Sequence, residues 1–380
     1  MIPISNAPTF NTSVGSDQAN STNRHLSSAT HNTPVASLAN IWAKKYIQSL
    51  HPESSNRQIQ SNDLGEILSS DRRAMTAVNL LKSLRFASSQ AWAKTENLLI
   101  GQIQAHGINP ELVDPWQIAN DSQFLLEKAL KVYTENRNSR TVEIDLSSEQ
   151  QNCQISHPTQ LPTTGQLSVA IASSVGDIRK KYTSVDPRAI GFVSMQFHYT
   201  GQILLNALPP LEQMVVNSYL KVIDDHLYMP LQRCYDAAAS LDYHDITLES
   251  VRQLLPLTSK IAQQVSQKTL IMHSAYQCHS GLLSSPQVRI SSLRDIEMFQ
   301  VYLCLCVLEQ SISSIQQELF PLCIMLYPPL QVSWELVRTL IRLLNNEMHI
   351  HLDPEYVQVF EPYLMVLSEM FSDDVLPEAQ

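Results

Sequence analysis

Arg294 and Asp295 stand side by side in ISSLRDIEMFQVYLCLC, residues 290–306, at the entrance to an otherwise apolar helical run. A guanidinium presents a planar fork of donors shaped for a carboxylate, and an aspartate accepts from N–H groups. The pair therefore has the chemistry to hold a ligand that carries both. It also has a purely structural use, because an acidic group in the first turn of a helix offsets the helix dipole while an adjacent Arg faces solvent. Cys304 and Cys306 follow within the run. A two-residue step on a helix turns by about 200°, which points the two thiols to nearly opposite sides, so they would not share a metal ion. Phe299, Tyr302, Leu303, Cys306 and Leu308 fall instead into the contact rows of a buried spine.

The remaining clusters carry less chemistry. HSAYQCHSG, residues 273–281, gathers His273, Cys278 and His279, but a fourth ligand is missing and the spacing follows no zinc pattern, so no metal site is predicted. Asp224, Asp225 and His226 invite acid–base chemistry, yet neighbouring helical side chains diverge by about 100° and do not converge on one substrate atom. They are predicted to form a solvated face. His349 and His351 near a helix end favour its negative pole. His198, His226, His244 and His273 raise the question of haem, and sequence does not show which of them faces a pocket. Neither a G-x-S-x-G, nor a Walker A, nor an H-E-x-x-H pattern occurs, and no catalytic class has support; the chain is predicted not to be an enzyme.

These residues need a frame. The 380 residues are 44% hydrophobic, enough to close at least one core, and only nine are glycine, which favours helices over turn-rich β structure. A net charge of −10 leaves no overall basic footprint for nucleic acid. The opening MIPISNAPTF lacks the basic start and apolar core of a secretory signal, and no run reaches the roughly 18 apolar residues of a membrane span, so a soluble cytoplasmic protein is expected. Six cysteines without C-x-x-C spacing, mostly inside apolar helical patterns, are expected as buried reduced thiols.

Residues 1–38, crowded with Asn, Ser and Thr, are predicted to be a disordered tail. Helical periodicity marks 39–135 as a small helical module, with Leu64, Ile67, Leu68, Ala77, Leu80, Leu81 and Leu84 along one face of its long run. Residues 136–166 lose that periodicity and form the expected linker. A second helical domain occupies 167–380, with starts expected at Asp186-Pro187, near Thr247 and at Asp353-Pro354, a stop near Pro209-Pro210, and a break at Pro230.

Three blocks of that domain, RDIEMFQVYLCLC at 294–306, VSWELVRTLIRLL at 332–344 and LDPEYVQVFEPYLMVLSEMF at 352–371, carry a family likeness. In them the region from about Gln202 to Phe371 resembles the globin-like phycobiliprotein domain of phycobilisome antenna subunits from cyanobacteria and red algae. The resemblance implies an all-α, globin-like, phycobiliprotein-type domain in which Arg294 and Asp295 match the pair that holds a bilin propionate and the pyrrole N–H groups. It favours bilin over haem as the tetrapyrrole. Where light-harvesting members carry the Cys that bonds the bilin, two positions before the Arg, this chain has Ser292. A hydroxyl lacks thiolate nucleophilicity, so covalent attachment there is not expected; Cys278 would be the nearest alternative thiol. The resemblance thus implies two functions. One is a chromophore-free interaction protein in assembly or regulation of the phycobilisome or photosynthetic apparatus, reaching the thylakoid face through partners and forming a possible homo-oligomer through the helix FVSMQFHYTGQILL. The other is a noncovalent bilin carrier or sensor that uses Arg294 and Asp295.

Overall fold

Helices open where side chains take up free backbone N–H groups. The structure, a computed structural model, describes residues 34–48, 65–136, 142–145, 154–157 and 161–378. After α1 (Pro34–Gln48), Ser69 accepts from the Arg72 N–H to open α2 (Ser70–Ala105), and Asp114 accepts from Trp116 with Pro115 behind it to open α3 (Pro115–Thr134). A reciprocal capping box between Thr163 and Gln166 opens α4 (Thr164–Thr183). Then follow α5 (Ala189–Asn206), α6 (Pro210–Tyr228) and α7 (Leu231–Ala238), separated by prolines at the expected places. Asp245 caps α8 (Ile246–Leu254), two residues before Thr247, and α9 (Thr258–Met272) leads into α10 (Pro286–Glu309). A π-helical turn, Ile315–Leu319, precedes α11 (Phe320–Leu326), and α12 (Trp334–His351) and α13 (Pro354–Met370) complete the order. The described residues include two short antiparallel ladders, Val142–Asp145 with Gln154–His157 and Gln277–Cys278 with Gly281–Leu282. The fold is all-α.

Packing changes several expected boundaries. The predicted tail reaches residue 38, but Pro34 already begins α1, with Leu38 fully buried; residues 1–33 lie outside the described residues. The stretch 39–135 does not close a core of its own. Its α2 lies along α5, α1 packs on α4 and α7, and α3 packs on α4 and α6, so one hydrophobic core runs from Leu38 to Phe371. Periodicity shows that a helix has a buried face but not which element covers it. The predicted linker overlaps the first turn of α4 at 164–166, and its residues 142–145 pair with 154–157.

On α2, Leu68 in the preceding turn and Ala77, Leu80 and Leu84 are buried as expected, whereas Leu81 is 40% exposed because it lies beside that face rather than on it. Leu64 lies outside the described residues. Asp186 does not cap a helix. Its carboxylate accepts from the Arg188 backbone N–H at 3.0 Å and from the guanidinium at 2.8 and 2.6 Å, so α5 starts later, at Ala189. Asp353 precedes α13 as expected but makes no side-chain cap bond.

Close approach of α1 needs a missing side chain. A Cβ at Gly165 would lie 2.9 Å from the Ala43 carbonyl oxygen, so glycine there lets the two backbones meet.

Candidate functional site around Arg294

α10 answers first for its interior. Every residue from Ile296 to Leu308 is buried, charged Glu297 and polar Gln300 included, so the helix is enclosed on all sides over these turns. Cys304 and Cys306 are fully buried, and burial pushes both thiols above their ordinary range. The Cys306 sulfur sits 3.1 Å from the Ser314 hydroxyl. The run is a spine, as its spacing predicts.

One turn earlier, Arg294 and Asp295 come together with α6. Nη1 of Arg294 donates to Asp224 Oδ2 at 3.1 Å and Nη2 to Asp295 Oδ1 at 3.4 Å, while the guanidinium lies 3.7 Å from the centroid of the Tyr228 ring. Burial opposes the charge on Arg294, but Tyr228 and the two carboxylates outweigh it and hold the group more firmly protonated than an ordinary arginine. Burial raises the Asp295 pKa, against the pull of Arg294 and a hydrogen bond from Tyr327. For Asp224 burial is outweighed by His198 and Arg294, and its pKa falls. His198 is occupied on both ring nitrogens, by Asp224 at 3.3 Å and by Gln202 at 2.8 Å.

The space beside this cluster, lined by Tyr228, Arg294, Asp295, Met298, Cys323 and Tyr327 among others, is about 20 Å3. That admits a single water, which would satisfy Arg294 Nε, a nitrogen with no partner among the described residues. In this arrangement both terminal nitrogens of Arg294 are engaged within the chain, by Asp224 and Asp295. Ser292, at the position of the missing thiol, donates to the Val288 carbonyl at 2.9 Å.

Asp224, Asp225 and His226 diverge as helical geometry requires, yet they do not form the predicted solvated face. Asp225 and His226 are 1% and 2% exposed, because α6 is enclosed by α4 and α5 and reached by side chains of α1 and α10. Asp225 accepts twice from Lys221 at 2.9 Å and lies 3.5 Å from Lys45. Burial opposes its charge, but Lys221 and Lys45 hold its pKa well below the usual carboxylate range. His226 Nε2 meets the Ser168 hydroxyl at 2.9 Å, and burial pulls its pKa down to about 4.

The centre of this second network is a residue outside every cluster named above. Lys45 of α1 is 8% exposed, pairs with Glu297 of α10, and places its ammonium 4.2 Å from the centroid of a Trp42 ring. Glu297 also accepts from Ser259 at 2.7 Å. A visible signal existed in both cases: Glu297 interrupts an apolar run, and Lys45 lies between Trp42 and Tyr46 on the apolar stripe of α1.

The other clusters stay apart. Cys278 is buried in a satellite core with Leu283, Val288 and Leu336, while His273 reaches Thr339 at 3.3 Å. Among the described residues no group of three or more His, Cys, Asp or Glu is placed to hold a metal. His349 bonds the Asn345 carbonyl at 2.9 Å, inside the last turns of α12. No helix of the described residues is long and apolar enough to cross a membrane. Compared with protein-family models, curated proteins and solved structures, the chain gives no match.

Proposed function

We propose that this chain is a non-catalytic, phycobiliprotein-like helical protein that acts by protein–protein interaction in assembly or regulation of the phycobilisome, without a chromophore. The observation that carries the reading is the engagement of Arg294 by Asp224, Asp295 and Tyr228 around a space of about 20 Å3. The residues that the family resemblance assigns to a bilin serve here to join α10 to α6, which supports a scaffold over a carrier. In the helix expected to receive a partner, Phe192, Val193 and Phe197 are buried, and α2 packs along that helix.

The test mixes purified full-length chain with purified antenna subunits and follows complex mass by light scattering, while a parallel titration with free bilin records the visible spectrum. Complex formation with an unchanged bilin spectrum is the expected result. A red-shifted bilin band that Arg294→Ala abolishes would overturn the scaffold reading in favour of the noncovalent carrier.

A further inference from the structure

The outer face of α2 is built unlike a solvated helix face. The inward side is used up by Ala77, Leu80, Leu84, Ala87 and Ala91, all buried. On the opposite side Met75, Val78, Phe86 and Ile100 are 50%, 48%, 68% and 52% exposed. Four large apolar groups along one side of one helix exceed the scattered single exposures that need no explanation.

Three of them, Met75, Phe86 and Ile100, lie on one heptad stripe, with Val78 beside it. Asn79, Phe86, Ala93 and Ile100 recur every seven residues, and Met75, Lys82, Ser89 and Glu96 form the companion row, so the eight positions make one seam facing away from the core. From Met75 to Ile100 the seam extends about 38 Å at 1.5 Å per residue.

We infer that this seam of α2 pairs antiparallel with the same seam of a second copy of the chain, making a two-fold dimer. The choice of occupant rests on self-complementarity. With the two-fold axis level with the Ala87–Ser88 step, Met75 stands opposite Ile100 of the second copy, Lys82 opposite Ala93, Asn79 opposite Glu96, and Phe86 against Ser89 beside the axis. In the same alignment Lys82 falls within one helical turn of Glu96 of the second copy, and the symmetry repeats that contact. Lys82 and Glu96 are both exposed and neither forms an ion pair among the described residues, so both charges are available to meet across the seam. A parallel pairing would instead stack Lys82 on Lys82 and Glu96 on Glu96, which like-charge repulsion disfavours. This inference stands on α2 alone and is independent of any phycobilisome role.

Sedimentation equilibrium of the full-length chain, with circular dichroism on every variant, tests it. The expected result is a species of twice the chain mass at micromolar concentration. Phe86→Asp or Ile100→Asp weakens its association by about thirtyfold or more with the helical spectrum unchanged, since both sites are exposed in one copy. Lys82→Glu and Glu96→Lys each weaken it by about tenfold, and the double reversal restores it. A chain that stays monomeric at 100 µM (about a hundredfold above a micromolar Kd), a dimer indifferent to Phe86→Asp and Ile100→Asp, or a double reversal no tighter than the single ones would overturn the inference.

Discussion

Arg294 of α10 donates to Asp224 of α6 across 3.1 Å, with the Tyr228 ring stacked on the same guanidinium. The two side chains are only 11% and 15% exposed, so the pair is shielded from solvent and joins two helices that the sequence separates by 70 residues. Removing one partner leaves the other charge buried, which costs more than the pair itself contributes.

Arg294→Ala is therefore expected to lower the free energy of unfolding by roughly 3 kcal/mol, because Asp224 and Asp295 lose their common cation. Urea denaturation of the variant and the parent chain measures the difference. An effect below about 0.5 kcal/mol, the range of ordinary surface substitutions, would contradict the role given to the pair.

Lys45 and Glu297 are expected to behave as a coupled unit. Lys45→Met leaves Glu297 buried without its cation and is expected to cost roughly 3 kcal/mol, Glu297→Gln leaves Lys45 with Asp225 and is expected to cost less, and the double variant is expected to cost clearly less than the sum. A double-mutant cycle on unfolding free energies reads the coupling. Strict additivity would mean that the two do not interact.

His226 gives the fold a pH slope. Its folded pKa, about 4, lies below the ordinary value of 6.5, so the unfolded chain binds the proton more readily. Stability is complete above pH 6.5 and is lost as the pH falls from there toward 4, by up to about 3 kcal/mol. Asp225, depressed to about 2, adds a further loss only below its unfolded value of 3.8. Urea melts between pH 7 and pH 4 (roughly the span between neutral and the acid side of His titration) should show the first slope, and His226→Gln should flatten it.

Gly165→Ala tests the meeting of α1 and α4. Alanine is the better helix former by about 1 kcal/mol, yet its Cβ would sit 2.9 Å from a backbone oxygen of Ala43 that has little freedom to yield. The expected net effect is destabilisation of about 1–3 kcal/mol in a thermal or urea melt, and a stabilised variant would show that α1 moves aside without cost.

The spine of α10 and the core face of α2 were legible in the residues, since buried positions repeat with the period of the helix whatever covers them. Prolines 209, 210 and 230 marked breaks for an equally local reason: a missing N–H and a fixed φ act on the next few residues alone. Gly165 gave no such sign, because its task is set by Ala43, more than a hundred residues away in the chain.

By itself the sequence determined an all-α chain with its helices largely in place, and it drew attention to Arg294 and Asp295. Only the tertiary structure decided that Arg294 would take Asp224, that Asp225 and His226 would turn inward, and that Lys45 would reach Glu297 across 252 residues of sequence. Helix formation is written in neighbours a few residues apart, whereas the partner of a buried charge depends on which distant helix packs against its own, and no local period encodes that.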